Sequence, residues 1–152
     1  MKYGEILFDS TKDNWSINTS VFDSKVINKN HLLFIVEDTE GNKFGGYIDA
    51  KIDKYYDSIT DSKSFVFSLE SNGRLDSMRK FNIEEPECAF WLYNKSDDCL
   101  FAIGDSDIVI CKKGSGEPYC EQDSFNYEGN QNTLSGKDVY FSLKRFIVIQ
   151  MT

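Results

Sequence analysis

His31-Leu32-Leu33-Phe34-Ile35-Val36, then Glu40-Gly41-Asn42, then Lys43-Phe44-Gly45-Gly46-Tyr47-Ile48: the reading of these residues decides the fold. The first run is continuous and apolar, the pattern of a strand covered on both faces. Gly41 supplies the freedom to take a positive φ at a tight turn. The second run returns as a partner strand, so residues 31–48 read as a hairpin. Gly45-Gly46 inside that strand predicts a bulge or the close approach of another backbone.

Working outward, the same grammar repeats. Glu5 to Phe8, Ser64 to Leu69, Phe90 to Tyr93, Cys99 to Ile103, Asp107 to Cys111, Val139 to Leu143 and Phe146 to Met151 are short apolar runs. They are separated by turn-forming stretches such as Asn94-Lys95-Ser96-Asp97-Asp98 and Gly104-Asp105-Ser106. Helical signals are fewer. Ser20 is placed to cap a helix over Val21 to Ile27, and a second short helix is expected over Lys51 to Tyr56. The expected architecture is mainly β (α+β): an antiparallel two-sheet β-sandwich with a few short peripheral helices. The chain has 152 residues, a length that fits one domain over 1–152 with a core that needs no metal or disulfide.

Charge narrows the function. The 17 bases and 25 acids leave a net charge of −8. Eleven of the acids lie between Glu84 and Glu128, against Lys95, Lys112 and Lys113. This stretch therefore carries the whole excess, and the remainder of the chain balances. An acidic surface opposes phosphate-backbone binding and anionic membranes, and tight basic pairs such as Lys112-Lys113 and Lys144-Arg145 are too few to reverse that. No apolar run approaches bilayer length, and the opening residues are too polar for a secretory signal. An intracellular, cytoplasmic protein with reduced thiols is expected. Its exposed carboxylates, Glu84, Glu85, Glu87, Asp97, Asp98, Asp105 and Asp107, are the candidate contacts for a basic protein partner.

Catalytic patterns do not assemble. His31 is the one histidine and heads an apolar strand, with no nucleophile elbow to serve. The four cysteines, Cys88, Cys99, Cys111 and Cys120, contain no C-x-x-C pair. Asp9, Thr11 and Asp13 start like a calcium loop, but Asn14 and Ser20 stand where glycine and glutamate are needed. Gly114-Ser115-Gly116 lacks the rest of a dinucleotide fingerprint. No metal, cofactor or catalytic set is expected. Cys99 and Cys111, inside apolar strands, are expected to be small buried hydrophobes. Cys120, in a polar loop, is expected to be exposed. The alternative to a binding module is a thiol-based redox sensor or weak antioxidant enzyme using Cys120 or Cys88.

Several strings, taken in order, resemble the TLDc domain of oxidation-resistance proteins. Ile6-Leu7-Phe8-Asp9-Ser10 is similar to the family's leading segment, Phe44-Gly45-Gly46-Tyr47 to its glycine element, and Ser64 to Leu69 (SFVFSL) to its "FLFSL" strand. Ala102-Ile103-Gly104, Asp107 to Ile110, Ser124-Phe125-Asn126, Thr133-Leu134-Ser135 and Phe146 to Ile149 follow in the family's order. Gln122 stands where the family carries a cysteine. The resemblance implies a β-sandwich core, a link to oxidative-stress resistance, and a protein partner, with a V-type ATPase subunit as the family's example. It implies an interaction module more than a catalyst.

Overall fold

A computed structural model describes residues 2–130, 132–137 and 139–152. The 31–48 hairpin is present as two strands. β1 spans Tyr3–Asp9, and a helix of five residues, α1, spans Phe22–Val26. β2 (Leu32–Asp38), β3 (Lys43–Ile48), β4 (Phe65–Glu70) and β5 (Arg79–Asn82) follow. After a 3-10 turn at Pro86–Cys88 come β6 (Phe90–Leu92), β7 (Cys99–Ile103), β8 (Ile108–Cys111) and β9 (Leu143–Met151).

The strands form two antiparallel sheets. One has six strands in the order β1-β9-β2-β3-β4-β5, the other three in the order β6-β7-β8. Their inner faces meet through phenylalanine. Phe34 of β2 lies 5.2 Å from Phe90 and 4.9 Å from Phe101, ring centre to ring centre. Phe22 of α1 stacks on Phe101 and meets Phe8 edge-on, so the helix plugs one side of the interlayer. Burying each such ring contributes about 1.5–3 kcal/mol.

The two glycines of β3 are explained by close approach. A Cβ on Gly46 would come within 2.9 Å of Ile103 in the opposite sheet, and one on Gly45 would overlap the Phe34 carbonyl oxygen. Gly41 takes φ +87°, as its turn requires. Here Asp38 accepts hydrogen bonds from the Glu40 and Asn42 amides.

Two expectations are corrected. Lys51 to Tyr56 is not helical. Ile52 is fully buried and exchanges backbone hydrogen bonds with Asn28 and Lys29, which uses the groups a helix would need. The Val139–Leu143 run is not a separate strand: Tyr140 makes a single bridge to Tyr119, Asp138 lies outside the described residues, and β9 starts at Leu143. β5 was not expected, since Arg79-Lys80-Phe81-Asn82 offers one apolar residue. As an edge strand it needs no more: Phe81 enters the core while Lys80 covers the Phe65 ring. The helix after Ser20 is real but shorter, and the Ser20 hydroxyl accepts the Phe22 amide hydrogen. No helix among the described residues is long and apolar enough to cross a membrane.

Candidate functional site

The acidic residues divide into three groups. At one end of the three-stranded sheet, Glu85, Glu87, Asp105 and Asp123 are exposed around Cys88, and Glu84, also exposed, directly precedes Glu85. Ligand atoms of Glu85, Glu87 and Cys88 lie within 4.8 Å of one another. At the other end, Asp97 and Asp98 sit beside Cys99. Residues 99–103 span the gap, so the two groups stand roughly 16 Å apart by strand rise. Asp107 belongs to neither.

Asp107 is wholly buried, which corrects its assignment as a partner contact. Its carboxylate accepts hydrogen bonds from the Ser124 amide at 2.9 Å, the Asp123 amide at 3.1 Å and the Tyr127 hydroxyl at 2.7 Å. Burial pushes its pKa up to about 6, against the lowering effect of those donors. The Ser124 loop held this way positions the acidic corner. The Ser124 carbonyl accepts the Glu84 and Glu85 amides, and its hydroxyl accepts the Asp105 amide. Gly104 adjoins it because a Cβ there would strike Asp107 Oδ1.

None of Glu84, Glu85, Glu87, Asp97, Asp98, Asp105 and Asp123 makes an ion pair among the described residues. Of the nearby bases, Lys112 is buried and donates to the Lys95 carbonyl. Next to the corner, Ser58, Cys88, Trp91, Tyr93 and Asp105 help line a cleft of about 210 Å³. The Trp91 Nε1 hydrogen is buried without a partner among the described residues.

The thiols are not where the sequence suggested. Cys120 is buried, and desolvation pushes its pKa far above the usual thiol range, so its expected exposure is overturned. Cys88 is half-buried, and burial followed by the charges of Asp105, Glu85, Glu87 and Asp123 pushes its thiol up as well. Both shifts reduce the thiolate that redox chemistry requires. Cys99 and Cys111 are half-buried instead of enclosed, with their sulfurs 3.4 Å apart.

His31 directly precedes β2 at an end of the large sheet, where its carbonyl accepts the Met151 amide. Its Nδ1 lies 2.9 Å from Asp49 Oδ1 and 3.2 Å from the Tyr47 hydroxyl. That hydroxyl donates to Asp49, and burial together with Asp49 raises its pKa, so it stays a protonated donor. The calcium-like residues Asp9 and Asp13 are turn formers. Asp9 accepts from Thr11 and from the Arg145 guanidinium, and Asp13 accepts the Asp9 amide.

Two stacked antiparallel sheets, Gly46 pinched between them, and a docked Thr133-Leu134-Ser135 segment describe a class of β-sandwich module. The Asn42 side chain donates to the Ser135 carbonyl, while Arg74 donates to the Asn42 side chain and to the Thr133 and Leu134 carbonyls. The family model of the TLDc domain matches residues 3–146, so the chain belongs to the TLDc family. Among curated proteins none matches the chain.

Proposed function

We propose that residues 1–152 act as one non-catalytic, TLDc-type protein-interaction module, working in the cytoplasm and binding neither nucleic acid nor lipid bilayer. Its partner is a protein with a basic surface. The family resemblance makes a V-type ATPase subunit the first partner to test, and links the module to oxidative-stress resistance. The observation that carries the reading is the uncompensated carboxylate surface of Glu84, Glu85, Glu87 and Asp105, with Asp97 and Asp98 as a second patch. Fixed, unpaired charge of one sign steers a complementary partner and raises its association rate.

Affinity capture with the purified chain tests this at low and at moderate salt. Two variants are compared with the unaltered chain: Glu84→Gln/Glu85→Gln/Glu87→Gln/Asp105→Asn, and Asp97→Asn/Asp98→Asn. Loss of the same basic partner from the first variant, and its weakening by salt, is the expected result. An identical partner set for all three chains would reject the electrostatic part. A captured partner that is consumed or chemically altered would reject the non-catalytic part.

A further inference from the structure

Cys99 and Cys111 face each other across the β7–β8 ladder, and counting residues does not put them there. The pairs Ile103–Ile108, Ala102–Val109 and Phe101–Ile110 run in simple register. Continued without interruption, that register sets Lys112 opposite Cys99. The register shifts between Cys99 and Phe101, leaving Leu100 as the extra residue of a bulge, and Cys111 becomes the partner. Directly paired antiparallel residues have Cα atoms about 4.5–5.5 Å apart, inside the range a disulfide spans. The sulfurs are already 3.4 Å apart, so rotation about the side-chain bonds closes the remaining gap to about 2.05 Å.

We propose that Cys99 and Cys111 form a reversible intramolecular disulfide, with hydrogen peroxide as oxidant. Both thiols are half-buried and reachable, whereas Cys120 is enclosed and Cys88 is not paired with another cysteine. Peroxide is small and uncharged, so the neighbouring Asp97 and Asp98 do not repel it. One S–H donates to the other sulfur, which eases loss of the proton from the accepting side. In the structure this lowers the Cys111 pKa and raises that of Cys99.

The chemistry balances in two steps. The Cys111 thiolate attacks one peroxide oxygen, the O–O bond breaks, and a sulfenic acid and hydroxide form. The Cys99 sulfur, losing its proton to that hydroxide, then attacks the sulfenic sulfur. The S–O bond breaks, and the departing hydroxide takes from solvent the proton that Cys111 gave up on becoming a thiolate, leaving as water. Two thiols are oxidised by two electrons in all, and one peroxide is reduced to two waters. A dithiol reverses the modification by exchange. The bond would tie together the two chain segments that frame the Asp97–Asp98 patch, where Asp97 accepts the Cys99 amide and the Asp98 carbonyl accepts the Lys112 amide.

The test treats the reduced full chain with graded peroxide, alkylates the remaining thiols and measures the tryptic peptide covering residues 96–112, which holds both cysteines. The expected result is loss of two of the four alkylatable thiols, with this peptide two hydrogens lighter and restored by dithiothreitol. Cys88→Ser should behave like the unaltered chain. In Cys99→Ser, Cys111 should accumulate as a sulfenic acid trapped by dimedone. The proposal is overturned if Cys99 and Cys111 stay alkylatable at peroxide levels that oxidise Cys88, or if the disulfide found includes Cys88 or Cys120. The unaltered chain supplies the deciding measurement even if a variant fails to fold.

Discussion

The two sheets treat their carboxylates in opposite ways. Around the six-stranded sheet, acids find cations: Asp9 with Arg145, Glu37 with Lys144, Glu40 with Lys137, Asp49 with Lys63, and Glu128 with Arg79. Around the three-stranded sheet, the exposed acids have no such partner among the described residues. The one buried acid there, Asp107, is held by neutral donors. The contrast separates charge used to close the fold from charge left facing outward. Asp9 and Asp107 make it sharpest. Arg145 and the Thr11 donors hold the Asp9 carboxyl well below the usual range, while desolvation lifts that of Asp107.

Asp107→Ala should give the largest effect. It leaves the Ser124 amide and the Tyr127 hydroxyl buried without an acceptor and the Asp123 amide half-buried without one, a loss of about 3–5 kcal/mol, seen as a lower urea midpoint. Loosening of the Ser124 loop should accompany it, read as faster amide exchange at Glu84, Glu85 and Asp105. Next, Asp9→Ala should cost about 2–3 kcal/mol, because it removes a charge-assisted pair from an enclosed position. An unfolding midpoint within error of the unaltered chain would show that this pairing does not hold β9 to the β1 turn.

The pH dependence follows with opposite signs. The folded pKa of Asp9 is depressed, so its contribution is present above about pH 4 and is lost as pH falls through the folded value. The folded pKa of Asp107 is raised to about 6, so the native state binds the proton more tightly than the unfolded chain. Its contribution to stability therefore declines as pH rises from about 4 to about 6. Asp107→Asn should flatten that segment of a urea-midpoint profile, and Asp9→Asn should flatten the more acidic one. The smallest stability change is expected for Glu85→Gln/Glu87→Gln. It should stay within about 0.5 kcal/mol and lean toward stabilisation, because it relieves repulsion between exposed like charges.

Much of the architecture was readable because alternating and continuous apolar runs map directly onto sheet faces. The 31–48 hairpin, the Phe65 strand and the Cys99–Cys111 hairpin follow from that pattern. β5 was hidden because Phe81 alone carries its burial, and the Lys51–Tyr56 error arose because a local pattern cannot report the backbone bonds Ile52 makes to distant residues. In the candidate site, the identity of the acids was legible but their arrangement was not. Asp107 and Asp105 share the same loop, yet one is fully enclosed and the other exposed. The signal available was position: Asp107 directly precedes the buried Ile108-Val109-Ile110 run, whereas Asp105 follows a turn glycine. The Cys99–Cys111 juxtaposition had no local signal, since a one-residue bulge sets it.

The order of strands in the larger sheet has a consequence for synthesis. β9 lies between β1 and β2, so β1, the earliest of these nine strands to be made, gains its ladder partner only after the other eight have been synthesised. Until then β1 and one flank of β2 present unsatisfied peptide groups, and closure brings together residues as far apart in the chain as Asp9 and Arg145. Folding of this module is thereby committed late, by a single long-range zippering event, and nascent chains are most in need of protection from one another just before it.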